Sequence, residues 1–269
     1  MSENVKTNIR ICLHAQNGFV KQAVVSHTDK VMLQIEERYK EGDYLSICTD
    51  IWPIPLRICL DKTRPAADIW LTANRMEFQI PFKKDRGVYP VNAFSLENSY
   101  ISVEKISQEE WEIYRNLSEN PWDKRGETSY YPHCRANAET RDEAVFAARN
   151  TIDGVLENSC HGEWPYQSWG EDENQSAEIM IEFGRRVLVD KVTICLRADF
   201  PHDNYWKEAT LLFSDGSREK ITLKKTKEVQ KFVVIPRKIE WVKLIEMIRG
   251  EEESPFPALT QWAVYGKNV

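Results

Sequence analysis

From Ile9 onward the chain breaks into short runs of β-branched and aromatic residues, spaced at roughly ten residues and closed by Gly, Pro, Asn or Asp. IRICLHA, AVVSH, DYLSICTD, LRICLD, DIWLTA, EFQIPF and YISVEKI are the N-terminal examples, and many of them alternate apolar with polar residues. Alternation puts one face of a strand on a core and the other in water. Regular short strands with few long helices leave a sandwich or a barrel as the architecture. VMLQIEERY fits a strand or a helix equally by propensity.

The stretch SQEEWEIYRNLSEN, from Ser107 to Asn120, carries helix signals. Ser107 is placed as N-cap, acids fill the first turn, and Trp111, Tyr114 and Leu117 fall on one face. NPWDKRGETSYYPH then has the Pro, Gly and Ser punctuation of a connector. Two domains are therefore expected, 1–125 and 126–269. From Glu139 the segment ETRDEAVFAARNTIDG reads as roughly two or three helical turns that stop at Asp153-Gly154. Beyond it AEIMIEF, VLVDKVTICLRADF, KFVVIPRKIEWVKLIEMIRG and FPALTQWAVYG read as strands, with GRR as a turn. LLF-SDG-SREKITL is a hairpin by its turn chemistry, because Asp-Gly or Gly-Ser supplies positive φ.

A chain of 269 residues buries a real core without disulfide or metal staples. Its net charge of −6 and its scattered basic residues exclude a nucleic-acid footprint. No apolar run approaches a membrane span, and MSENVKTNIR lacks the apolar stretch of a signal peptide, so a cytoplasmic protein is expected. Cys12, Cys48, Cys59 and Cys195 lie in β-like runs and are expected as buried free thiols, whereas Cys134 and Cys160 each adjoin a His.

The C-terminal segments carry an ordered pattern: Ile152-Asp153-Gly154, Trp164 to Ser168, Phe183-Gly184, Asp190 to Ile194, and Thr260 to Gly266. In order and spacing this resembles the F5/8 type C (discoidin-like) group of galactose-binding-like β-sandwiches, over residues 135–269. The group includes many carbohydrate-binding modules. The resemblance implies a mainly β fold of two jelly-roll-like sandwiches joined by a short helix, the C-terminal one galactose-binding-like. It also implies a structural Ca²⁺ between the Asp153-Gly154 turn and an acidic residue of the last strand. Position 261 is Gln here, a neutral oxygen where a hard cation favours a carboxylate, so Ca²⁺ is doubtful and no cofactor is expected.

Function in such a sandwich sits on its end loops. CHGEWPYQSWG, Cys160 to Gly170, has three aromatics and no aliphatic side chain, and it is longer than the resemblance implies. RADFPHDNYW, Arg197 to Trp206, has matching chemistry, and YYPHCRAN brings His133. Trp164, Tyr166, Trp169, Tyr205 and Trp206 are candidates for a platform that stacks on a sugar face. His133, His161, Glu163, Arg197, Asp199, His202 and Asp203 are candidates for the polar grip. The competing reading makes the tryptophans a plug and Arg197 with Asp199 an internal ion pair. Trp164 and Trp169 cannot share one regular face, so at least one of them is expected to pack inside.

Zinc is not expected, because His133-Cys134, Cys160-His161 and Asp199 with His202-Asp203 lie in three separate loops without compact spacing. The expected function is non-catalytic recognition of a carbohydrate or sugar-like small molecule, with no nucleic-acid or membrane partner; a homo-oligomer is compatible with this. A sugar-processing enzyme is the first alternative, with Glu163, Asp199 or Asp203 as acid and base and His161 or His202 as proton shuttle. A protein–protein assembly module is the second. EEES at 251–254 reads as a solvated loop without a role. A bacterial intracellular protein handling a glycan or sugar phosphate fits these expectations.

Overall fold

The alternating N-terminal runs form two antiparallel sheets over one core. One sheet is ordered β2 (Val20–Ser26), β1 (Ile9–His14), β4 (Tyr44–Thr49), β7 (Arg75–Gln79). Ile11 lies opposite Ile47 and Leu13 opposite Leu45, so the alternate apolar residues share the inner face. The other sheet contains β6 (Ala67–Leu71), β5 (Ile54–Cys59), β8 (Tyr100–Lys105) and β3 (Lys30–Gln34), with VMLQ resolved as strand. Leu56, Ile58, Ile69, Ile101 and Val103 meet the first sheet in a continuous buried cluster. The computed structural model describes residues 7–97, 99–198 and 203–269. Asp199 and His202, both candidates above, lie outside the described residues.

The second core is built differently. β13 (Ile179–Leu196) and β16 (Gln230–Arg249) are long strands that each serve two parts of one sheet. The first part of β13 pairs with β11 (His133–Ala136), and its second part pairs with β17 (Ala258–Asn268). β16 pairs with β13 along both parts but with β14 (Trp206–Phe213) only from Val242 onward. β15 (Arg218–Thr222) closes the hairpin on β14 as its turn chemistry predicts, with Gly216 at φ 83°. β12 (Trp169–Gly170) adds to the far edge beside β17. The sheet thereby closes over Ile181, Phe183, Val192, Ile194, Leu211, Phe213, Leu244, Trp262 and Val264, all fully buried.

Three local expectations are corrected. Ser107 does cap a helix, its Oγ accepting from the Glu110 N–H at 3.2 Å, but the α-helix is only Gln108–Trp111. The chain turns away because β9 (Arg115–Asn116) pairs with β17 and the Leu117 N–H reaches the Val264 carbonyl at 2.7 Å. Strand pairing overrides helix propensity there. The segment from Glu139 forms three short 3₁₀ turns, with Arg141 and Asp142 at positive φ. Asn150 contributes, since its Nδ2 donates to the Ala144 and Ser168 carbonyls and ties those turns to another loop. GRR is a bulge inside β13: the ladder to β16 shifts between Glu182 and Val187, with Gly184 at φ 63° beneath the Tyr131 ring.

The connector is also no free linker. Trp122 is fully buried in the N-terminal core against Phe78, Tyr89 and Phe94, and β10 (Tyr130–Tyr131) pairs with β6. The chain therefore enters the C-terminal sheet at β9, returns to the N-terminal core at Trp122 and Tyr130, and leaves again at β11. All six cysteines are free; Cys12, Cys134 and Cys195 are buried, whereas Cys48, Cys59 and Cys160 are partly exposed. Among the described residues no helix is long and apolar enough to cross a membrane.

Candidate functional site

A cleft of about 540 Å³ opens where four loops meet at one end of the C-terminal sandwich. Its walls come from the 3₁₀ turns at 140–146, the aromatic loop at 161–163, residues 170–173 from the end of β12 onward, and the segment 255–258 that leads into β17. Lys84 reaches in from the N-terminal sandwich. That sandwich also positions the aromatic loop, because the Trp164 N–H donates to the Gly87 carbonyl at 2.7 Å.

The polar centre of the cleft is a buried, bidentate ion pair. Arg197 Nε donates to Asp203 Oδ2 at 2.8 Å and Nη2 donates to Oδ1 at 3.0 Å. Arg197 Nη1 adds Ser168 Oγ at 3.3 Å, and its backbone N–H holds the Ala258 carbonyl at 3.1 Å. Arg197 thus links the end of β13 to the start of β17. Fork-to-fork geometry fixes both side chains in orientation. Glu171 lies beside them, also buried; Oε2 accepts from Trp206 Nε1 at 2.9 Å and Oε1 from Arg249 Nε at 2.5 Å. Burial pushes the Glu171 carboxyl up, and its hydrogen bonds and Arg249 oppose this.

The apolar part of the cleft is Phe146, Pro255, Phe256 and Pro257. Phe256 is 46% exposed, so it offers a ring face to solvent, whereas Phe146 is buried under the Arg141 guanidinium at 5.1 Å. Arg141 is itself paired with Glu143. Neither Phe256 nor the acids at 171–173 stood out in the sequence. The available signal was an aromatic held between two prolines, PFP, directly after the EEES run.

Four sequence candidates from the two loops do converge: His161, Glu163, Arg197 and Asp203 all line this cleft. The aromatic platform is corrected. Trp169 and Trp206 are both fully buried, stacked on each other at 5.7 Å between ring centroids. Their indole N–H groups are used internally, by the Ala138 carbonyl and by Glu171. No face of either ring remains for a ligand. Trp164 is half-buried against the Arg64 guanidinium at 4.5 Å, outside the cleft lining, and Tyr166 is half-buried beside it. The loop CHGEWPYQSWG is therefore divided: His161 to Glu163 form a cleft wall, Gln167 to Trp169 are buried, and Gly170 returns to the cleft lining.

His133 is corrected as well. It is buried between the two cores, with Nδ1 at 2.7 Å from Asp123 Oδ1, while the Cys134 N–H donates to Asp123 Oδ2 at 2.8 Å. Burial disfavours the imidazolium, but the Asp123 carboxylate outweighs it and the His133 pKa is raised. Arg197 is paired with Asp203, whereas its expected partner Asp199 lies outside the described residues. Among the described residues, no group of three or more His, Cys, Asp and Glu side chains gathers as a metal cluster.

No protein-family model matches the sequence, and no curated protein matches it. Solved structures similar to the chain are carbohydrate-binding modules and lectin domains of low identity. A chitosan-binding module of a chitosanase/glucanase from Paenibacillus sp. IK-5 is 18% identical, with a TM-score of 0.39, covering 57% of this chain and 100% of that one. A family 32 carbohydrate-binding module from C. perfringens, solved with galactose, is 16% identical, with a TM-score of 0.37, covering 49% and 91%. A fucose-binding module from Streptococcus pneumoniae is 12% identical, with a TM-score of 0.42, covering 57% and 99%. The mainly β sandwich architecture stands on the strand order and the two cores themselves.

Proposed function

We propose that the cleft binds a carbohydrate without transforming it. A sugar ring presents C–H groups on its faces and hydroxyls around its rim, so its receptor needs an exposed aromatic face beside oriented donors and acceptors. The observation that carries the reading is the presence of both in one cleft: exposed Phe256, and the buried Arg197–Asp203 pair. Arg197 keeps guanidinium N–H donors beyond those directed at Asp203 and Ser168. Glu163 and His161 stand exposed at the rim. The carboxylates of Glu171 and Asp203 are each engaged by internal N–H donors, which suits an orienting role better than proton transfer.

The charge of the lining narrows the ligand. Glu143, Glu163, Glu171, Asp172, Glu173 and Asp203 outnumber Lys84, Arg141 and Arg197, and two of those cations are paired within the lining. Such a cleft repels sialic or uronic acids and favours neutral or amine-bearing sugars. Titration calorimetry with galactose, glucosamine and glucuronate tests this. Binding of a neutral or amino sugar without binding of glucuronate is expected. Phe256→Ala should weaken the affinity about fivefold, on the order of 1 kcal/mol. Silence from all three sugars, or an unchanged affinity in Phe256→Ala, defeats the proposal.

A further inference from the structure

The junction at Asp153 is where the resemblance places a structural Ca²⁺, and the side chains gathered there do not fit a cation. Asp153 is fully buried. Its Oδ1 accepts from the Val155 N–H at 2.9 Å and from Gln261 Nε2 at 2.8 Å. Its Oδ2 accepts from Gln167 Nε2 at 2.7 Å and faces Arg64 Nη2 at 3.5 Å. The Asp153 carbonyl also accepts from Arg64 Nη2, at 2.5 Å. The Asn150 carbonyl, another oxygen in reach, accepts from Gln261 Nε2 at 2.7 Å.

The orientation of Gln261 is dictated by its neighbours. Its Oε1 accepts from the Gly154 N–H at 3.0 Å while its Nε2 faces two oxygens. A flipped amide would set oxygen against oxygen at Asn150 and Asp153, and N–H against N–H at Gly154. A hard cation needs converging oxygens. Here the space in front of those oxygens is held by N–H donors.

At ion-pair distance the charge on Asp153 is met from the other sandwich, and the buried Arg149 adds to it at longer range. Arg64 is buried, its guanidinium stacked on Trp164, and burial lowers its pKa against the pull of Asp153. The loop that delivers it is anchored by Asp61, whose Oδ2 accepts from the Phe94 N–H at 2.7 Å. Gln167 precedes Ser168, which holds Arg197 in the cleft, so the same junction steadies the loop that walls the cleft.

We infer that Arg64, with the Gln261 and Gln167 amides, replaces the metal ion at Asp153, and that the C-terminal loops depend on the N-terminal sandwich in place of calcium. Calorimetry of the full chain tests it, in EDTA and in about 5 mM CaCl₂, a concentration above the weak-site dissociation constants of about 1 mM. The wild-type unfolding midpoint should coincide in the two buffers; a rise with calcium overturns the inference. Arg64→Ala combined with Gln261→Glu removes the guanidinium and the donor amide and sets two carboxylates together. Its midpoint should rise with calcium, and a double variant that folds without any calcium response overturns the inference. Should the double variant fail to fold, Arg64→Met alone decides. A midpoint lowered by roughly 6–10 °C in both buffers supports the lock, and an unchanged midpoint overturns it.

Discussion

Replacing Trp169 by Ala distinguishes a packed indole from a binding platform. The ring is fully buried, stacked on Trp206 at 24° between planes, and its Nε1 donates to the Ala138 carbonyl at 2.9 Å. Truncating a core Trp to Ala costs about 3–5 kcal/mol through lost transfer energy and the cavity left behind. The stranded Ala138 carbonyl adds on the order of 1 kcal/mol where water cannot reach it. At roughly 2 °C per kcal/mol for a chain of this size, the midpoint should fall by about 8–12 °C. Scanning calorimetry reads this directly, and guanidinium titration checks it at constant temperature. A midpoint shift below about 2 °C, accompanied by complete loss of a sugar response, would refute the placement of Trp169 in the core.

Phe256→Ala should behave in the opposite way, weakening sugar binding about fivefold while leaving the midpoint within about 1 °C, because its ring is exposed. His133 predicts a pH effect. Its folded pKa lies above the unfolded value, so the stabilisation from Asp123 is fully present below about pH 6.5 and is lost as pH rises through the folded pKa. His133→Gln should flatten that part of the midpoint–pH profile, and a profile identical to wild type sinks the assignment. Gly266→Ala would place a Cβ 2.0 Å from the Leu188 carbonyl oxygen, inside the β13–β17 ladder. It should cost about 1–3 kcal/mol by denaturant titration, and a neutral result contradicts the register.

The β character of this protein is written in local chemistry. Alternation in IRICLH and DYLSICT specifies which face turns inward, and Asp215-Gly216 specifies a hairpin, since both depend only on neighbours in the chain. Helices were legible only at their start: Ser107 caps its helix as expected, but where the helix stops depends on β17, more than a hundred residues away in sequence. GRR has the composition of a turn and becomes a bulge because β16 continues the ladder on both sides of it.

The candidate site divides in the same way. That two polar, aromatic loops belong together could be read from their composition, and His161, Glu163, Arg197 and Asp203 do meet in one cleft. Which aromatics face solvent could not, because burial is a property of everything packed around a side chain. Trp169 and Trp206 cover each other, Trp164 lies against an arginine of the other sandwich, and Phe256 is left open. Likewise, Gln261 announces a weakened metal site, but only the packed structure brings Arg64 to Asp153 from 89 positions away along the chain. Residue chemistry and periodicity act over a few neighbours and so specify strands, turns and the kinds of groups available. Burial, pairing and charge compensation arise when distant segments exclude water together, and the tertiary structure alone decides them.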